Sequence, residues 1–230
     1  MSDSELKWSS LESNPEVLNR FLRHLGVSKE WEFVDILSFD SEYLQFIPRP
    51  AIAVLFLFPV ENIKKCPFEA INSEVDCHGN SVYFLKQTIF NACGTIALIH
   101  ALANNISEIG LDPESVIGKF IDETQKMTVE ERSHYLKQNK AINEAHEATA
   151  WEGEERPSWL NDSVCCHHYI TLLQSDSKLY QLDGLKEYPV SHGHTSGETF
   201  LSDAAEICSE YIKQDPSNIK FNAMALVKVS

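Results

Sequence analysis

No stretch of this sequence stays apolar for long. The longest such run, Ala51 to Phe58, lies between Pro50 and Pro59 and is far shorter than the ~20 residues that carry a helix across a bilayer. No membrane span is expected, and the run reads as a buried strand covered on both faces. Positive charge is also scarce: 19 Lys and Arg stand against 34 Asp and Glu, a net of −15. Long-range repulsion then disfavours a nucleic-acid partner and favours a basic one. The six cysteines, Cys66, Cys77, Cys93, Cys165, Cys166 and Cys208, show no paired CxxC spacing and are expected as reduced thiols. The first ten residues lack the apolar segment of a secretory signal and the basic amphipathic pattern of a transit peptide, so a cytoplasmic location is expected. No internal repeat or low-complexity tract is present.

What remains is 230 residues, 43% of them hydrophobic, enough for one sizeable core and a single domain over 1–230. Asn14 as cap, Pro15 at the first helical position, the stripe Val17, Leu18, Phe21, Leu22 and Leu25, and Gly26 as stop predict a helix. Further helices are expected after Asn91, from Asp112 and Pro113, from Thr128 with a capping box to Glu131, and from Glu198 to Gln214. A short aromatic-rich stretch runs around Trp31 to Ile36, and strands are expected at Ala51 to Phe58 and Phe221 to Val229. Tyr169 to Leu173 and Lys178 to Leu182 read as a β-hairpin. Trp151 to Ser163 has no period and reads as a surface loop, with Trp151 and Trp159 as candidate contact residues. The expected class is α/β (α+β), a central antiparallel-rich sheet flanked by helices.

Four residues sit in contexts that suit distinct chemical tasks. Cys93 falls in the first turn of an expected helix, whose free amides favour a thiolate, and its own amide could donate to an oxyanion. Gly94 beside it could let a substrate carbonyl approach the backbone. Gln87 lies upstream, where a side-chain amide could supply a second donor. A two-residue loop at Ser175 and Asp176 places His168 directly opposite Asp183, so that the carboxylate could hold one imidazole nitrogen and aim the other at a thiol. Each residue also has a plainer reading: Cys93 as a small buried residue at a helix start, His168 as a satisfied strand histidine, Asp183 as turn chemistry, Gln87 as an ordinary polar residue. Cys165, Cys166, His167 and His168 invite a metal reading, but neighbouring strand residues alternate faces and do not converge on one ion. His192 and His194 read as loop residues. No metal and no cofactor is expected.

The segment Lys86-Gln87-Thr88-Ile89-Phe90-Asn91-Ala92-Cys93-Gly94-Thr95 resembles the nucleophile motif of the ubiquitin C-terminal hydrolases, papain-like cysteine peptidases. The likeness extends through Leu11 to Val17, Phe33 to Asp35, Pro48 to Pro50, Leu179 to Gly184 and Phe221 to Ala223, and is closest to the short single-domain members. It implies a knotted backbone, with Cys93 as nucleophile, His168 as general base and later acid, Asp183 as the residue orienting it and Gln87 as oxyanion donor. It implies that Trp151 to Ser163 straddles the site and limits the leaving group. Leu11, Glu12, Glu16 and Asp35 would meet ubiquitin or a ubiquitin-like modifier, whose tail is basic, and the chain would work as a monomer. Leu185, Asn218 and His167 depart from the family's usual Arg, acidic and apolar residues. The rival readings are a catalytically silent ubiquitin-binding module and an acidic interaction protein unrelated to ubiquitin.

Overall fold

The computed structural model describes residues 7–61, 74–75, 82–151 and 167–229. Among them the strands are β1 (Trp31–Asp35), β2 (Ala51–Pro59), β3 (Glu74–Val75), β4 (His167–Ser175), β5 (Lys178–Leu182), β6 (Val190–His194) and β7 (Asn222–Lys228). The helices are α1 (Pro15–Leu25), α2 (Ser41–Leu44), α3 (Cys93–Ala103), α4 (Ile106–Ile109), α5 (Val116–Thr124), α6 (Val129–Gln138), α7 (Lys140–Trp151) and α8 (Phe200–Ile212). The strands form one antiparallel sheet in the order β1-β7-β2-β4-β5-β6-β3, flanked by helices as the α/β reading expects.

The central strands are apolar because both faces are covered. From β2, Ala53 and Leu55 join the larger core, which includes α1 and α3, while Val54, Phe56 and Phe58 join the smaller one beneath α8. β7 divides in the same way, Met224 and Leu226 against Ala223, Ala225 and Val227. Helix α3 is buried along its whole length, which explains why it is apolar all round rather than striped.

Local signals account for the helix ends. The Asn14 side chain accepts from the Glu16 amide at 2.8 Å, Pro15 opens α1, and Gly26 closes it at φ 87°. In α6 the Thr128 hydroxyl accepts from Glu131 N at 3.2 Å, and the Glu131 carboxylate accepts from Thr128 N at 2.8 Å, the capping box expected there. Asp112 and Pro113 form only the turn ahead of α5; the cap is Ser115, which accepts from Gly118 N at 3.0 Å.

Three expectations need correction. The hairpin turn is Asp176 and Ser177, both at positive φ (47° and 59°), the geometry that matches strand twist in a tight hairpin. The pairing therefore runs Thr171 to Leu182 and Ser175 to Lys178, two positions from the expected register. His168 and Asp183 are thus diagonal rather than directly opposite, and because the side-chain period is two they keep the same face. Trp151 closes helix α7 instead of opening a loop, since the helix runs one turn past the polar Glu147. His192 and His194 belong to β6, where His194 pairs with Lys178 of β5 and His192 lies at the irregularity in that pairing.

A Cβ at Gly26 would stand 2.6 Å from the Cβ of Ser115, the α5 cap, at a backbone angle disfavoured for L-residues. Gly26→Ala is expected to destabilise the chain by at least about 1–2 kcal/mol, the cost of left-handed backbone alone, seen as a lower urea midpoint at unchanged m-value.

Candidate active site

Three elements bring the predicted chemical residues together. The chain enters α3 through Asn91, buried and at φ 63°, a conformation that Asn tolerates better than most side chains. Cys93 then occupies the first position of the helix. Its cap residue, Ala92, offers no side-chain acceptor, so the first-turn amides remain available to a negative group at the thiol. The Thr171 hydroxyl donates to the Ala97 carbonyl at 2.7 Å and ties the helix to β4, the strand that carries His168.

His168 is 4% exposed and Asp183 6%, and Nε2 of the ring lies 2.6 Å from the Asp183 Oδ1. Such a short contact is typical of a charge-assisted bond. With Nε2 committed to the carboxylate, Nδ1 is left for a second partner, and the Cys93 thiol is close enough to act on the ring electrostatically. Burial alone opposes a charge on the ring, but the bond to Asp183 and the influence of both the carboxylate and the Cys93 thiol outweigh it and raise the imidazole well above its ordinary value. Burial likewise opposes the Asp183 carboxylate, and the bond from His168, its charge, and the Leu185 amide at 2.9 Å hold the group below the usual range. Phe58, directly opposite His168 on β2, meets its ring edge-on at 5.8 Å between centroids and packs in turn on Tyr211 at 4.8 Å. The ring is therefore fixed by hydrogen bonding and by packing. The sequence offers no sign of Phe58's part, because only strand pairing puts it beside His168.

Gln87 joins the group through its backbone, donating N–H to the Gly184 carbonyl at 2.7 Å. A Cβ on Gly184 would stand 3.1 Å from the Gln87 Cβ, so glycine after Asp183 lets the two segments touch. The Gln87 Oε1 is buried without a hydrogen-bond partner among the described residues, and the amide is not committed to the scaffold there. His100, behind this segment, is wholly buried; desolvation lowers it to about 4, so it is a neutral structural ring. The other described cysteine, Cys208, is buried in α8, and desolvation pushes its thiol up, so it is unsuited to attack.

The surrounding positions divide. Glu12, half-buried, accepts from Asn14 Nδ2 at 3.3 Å, and Glu16 is exposed. The Asp35 Oδ1 accepts from Asn222 Nδ2 at 3.4 Å, and the Asn222 Oδ1 accepts from Ser13 at 2.8 Å, which places these acids along one edge. A groove of about 420 Å³ adjoins it, lined by Asp35, Leu37, Phe39, Ile212 and Phe221 among others. Leu11 is not on that surface: it is 7% exposed, in the main core. A Cβ at Gly94 would meet Leu11 at 3.4 Å and Tyr169 at 3.5 Å, so the space glycine leaves faces the interior rather than a substrate. Trp151 is 69% exposed. Trp159 and the rest of 152–163 lie outside the described residues, as do Cys165 and Cys166. No group of three or more potential metal ligands occurs among the described residues, and no helix among them is long and apolar enough to cross a membrane.

A buried carboxylate, an imidazole and a thiol in this order are the working parts of a cysteine hydrolase. Residues 8–213 match ubiquitin carboxyl-terminal hydrolase, family 1. Ubiquitin carboxyl-terminal hydrolase isozyme L1 of Homo sapiens is 42% identical over 224 residues, covering 96% of this chain and 98% of the relative. Ubiquitin carboxyl-terminal hydrolase of Drosophila melanogaster is 38% identical over 225 residues, covering 96% and 97%. The crystal structure of the Trichinella spiralis UCH37 catalytic domain bound to ubiquitin vinyl methyl ester superposes at TM-score 0.76 and 25% identity, covering 99% of this chain and 98% of that one. The chain belongs to ubiquitin carboxyl-terminal hydrolase family 1, a family of cysteine peptidases, and has their α/β papain-like fold. It is a deubiquitinating thiol hydrolase.

A raised histidine stabilises the fold fully below its unfolded value and loses that contribution as pH climbs through the folded one. A depressed carboxylate does the reverse, contributing above its unfolded value and losing this as pH falls through the folded one. The His168 and Asp183 pair is therefore worth most between these limits. Asp183→Asn should lower the His168 titration midpoint, read by NMR, and its stability deficit in urea should be largest between the ordinary carboxylate and imidazole values, about pH 4 to 6.5, and shrink toward both extremes. An unchanged His168 midpoint would contradict the assignment.

Proposed function

We propose that Cys93 is the nucleophile, His168 the general base and then acid, Asp183 the residue orienting it, and Gln87 with the Cys93 amide the oxyanion donors. The observation that carries this reading is His168 held at Nε2 by a buried carboxylate, which leaves its other nitrogen for the thiol at the start of α3. In this mechanism His168 takes the Cys93 proton, and the sulfur attacks the carbonyl of the modifier's terminal glycine. The oxyanion is stabilised by the two amide donors, and the His168 proton goes to the departing amine. Water, deprotonated by His168, then hydrolyses the thioester and returns the thiol.

The partner is ubiquitin or a ubiquitin-like modifier, released from small adducts or short extensions. This is supported by the ubiquitin derivative bound to the Trichinella spiralis relative. It is also supported by the acids Glu12, Glu16 and Asp35, of which Asp35 lines the adjoining groove, an arrangement that suits a basic tail. Trp151 is a candidate contact at the exposed end of α7, and Trp159 follows by likeness alone. The free Cys93 and Cys208 fit a reducing, cytoplasmic setting. A monomer of one domain, needing no cofactor, suffices for this chemistry, because every group the mechanism uses comes from the same chain.

A fluorogenic ubiquitin amide tests the reading. Wild type should release the reporter, and Cys93→Ala should bind ubiquitin without turnover; full activity in Cys93→Ala would overturn the assignment. Gln87→Ala should lower kcat by about 10²–10³, the usual effect of losing one oxyanion donor, with KM little changed.

A further inference from the structure

Between Val82 and Ile89 the chain is irregular and belongs to no strand, so its peptide groups need partners from elsewhere. Side chains of two helices supply them. Asn104, just past α3, takes the Tyr83 amide at 2.6 Å and returns a bond to the Tyr83 carbonyl at 2.9 Å. His100 Nε2 lies 3.2 Å from both the amide nitrogen and the carbonyl oxygen of Leu85. From α6, Arg132 donates to the Phe84 carbonyl at 3.1 Å, and the Ser133 hydroxyl accepts from the Lys86 amide at 2.8 Å. The next amide, that of Gln87, goes to Gly184.

Ser133 is the member nearest the oxyanion donor, and its geometry is determined. It is 2% exposed, and its hydroxyl donates to the Val129 carbonyl at 2.8 Å within its own helix, which turns a lone pair toward Lys86. The Ser133 carbonyl in turn accepts from the Thr88 hydroxyl at 3.4 Å, so one α6 residue grips the chain on both sides of Gln87. The Lys86 side chain adds a bridge between Glu130 of α6 at 3.2 Å and Glu187 at 2.7 Å. These exposed pairs are weak individually, and the buried hydroxyl is the stronger constraint.

We propose that Ser133 is a positioning residue that sets where the Gln87 side-chain amide stands relative to Cys93. The proposal rests on the reading of Gln87 as oxyanion donor. Oxyanion stabilisation depends on donor placement within a fraction of an ångström, so loosening the Lys86 anchor acts on the transition state and leaves modifier binding alone.

Ser133→Ala removes the acceptor without cost in helix propensity and is expected to fold. Its kcat on the fluorogenic ubiquitin amide should fall about three- to ten-fold, short of the ~100-fold that a 1 Å misplacement can cause, with KM unchanged. In Gln87→Ala, which has no side-chain amide at that position left to misplace, adding Ser133→Ala should slow turnover no further. Amide hydrogen exchange in Ser133→Ala should quicken at Lys86 and Gln87 while α3 amides keep their protection. Multiplying losses in the double variant, or unchanged exchange at Lys86 and Gln87, would overturn the proposal and leave the oxyanion assignment standing. If Gln87→Ala alone turned over like wild type, that assignment would fail and the proposal with it.

Discussion

The bond between the His168 ring and the Asp183 carboxylate is the constraint from which the rest of the site follows. Both groups are almost fully buried, and a lone charge on either would be costly there; together they satisfy one another, and the Leu185 amide adds a further bond to the carboxylate. With one ring nitrogen occupied, the other has a single direction to face. A helix that starts at Cys93 must then end its approach at that nitrogen, and the Thr171 bond to the α3 backbone keeps helix and strand at the required spacing. Sheet, central helix and hairpin can be viewed as the apparatus that holds three side chains in this order.

The parts legible in the sequence were those decided locally. The stop at Gly26, the Asn14 cap and the Thr128 and Glu131 capping box depend on residues within a turn of one another, and the structure has each of them. The two-sided burial of β2 was visible as an uninterrupted apolar run. Hairpin register was not, because it depends on which two residues accept positive φ: Ser175 with Asp176 and Asp176 with Ser177 look equally plausible in composition. The shared face of His168 and Asp183 survived that error, since a slip of two positions leaves side-chain direction unchanged.

What could not be read were contacts made across long stretches of chain. Leu11 lies in a motif that resembles a partner-facing one, yet its side chain fills the space beside Gly94. Phe58 reads as one more apolar residue in a strand until β4 pairs with it. Ser133 occupies a helix that is polar on most of its surface, and nothing in its neighbours announces a bond to a peptide group 47 positions earlier. Such bonds leave no periodic trace, because a hydroxyl on a buried face suits either a satisfied helix residue or a clamp.

The complete enclosure of α3 has a consequence for how faithfully the thiol keeps its place. A helix with water along one side can fray or rock without disturbing its neighbours, whereas this one has no side on which to move. Displacing Cys93 means breaching the interior on several fronts at once, an event that resembles global unfolding more than local breathing. The Cys93 sulfur thus stands at the tip of the part of the molecule least free to wander.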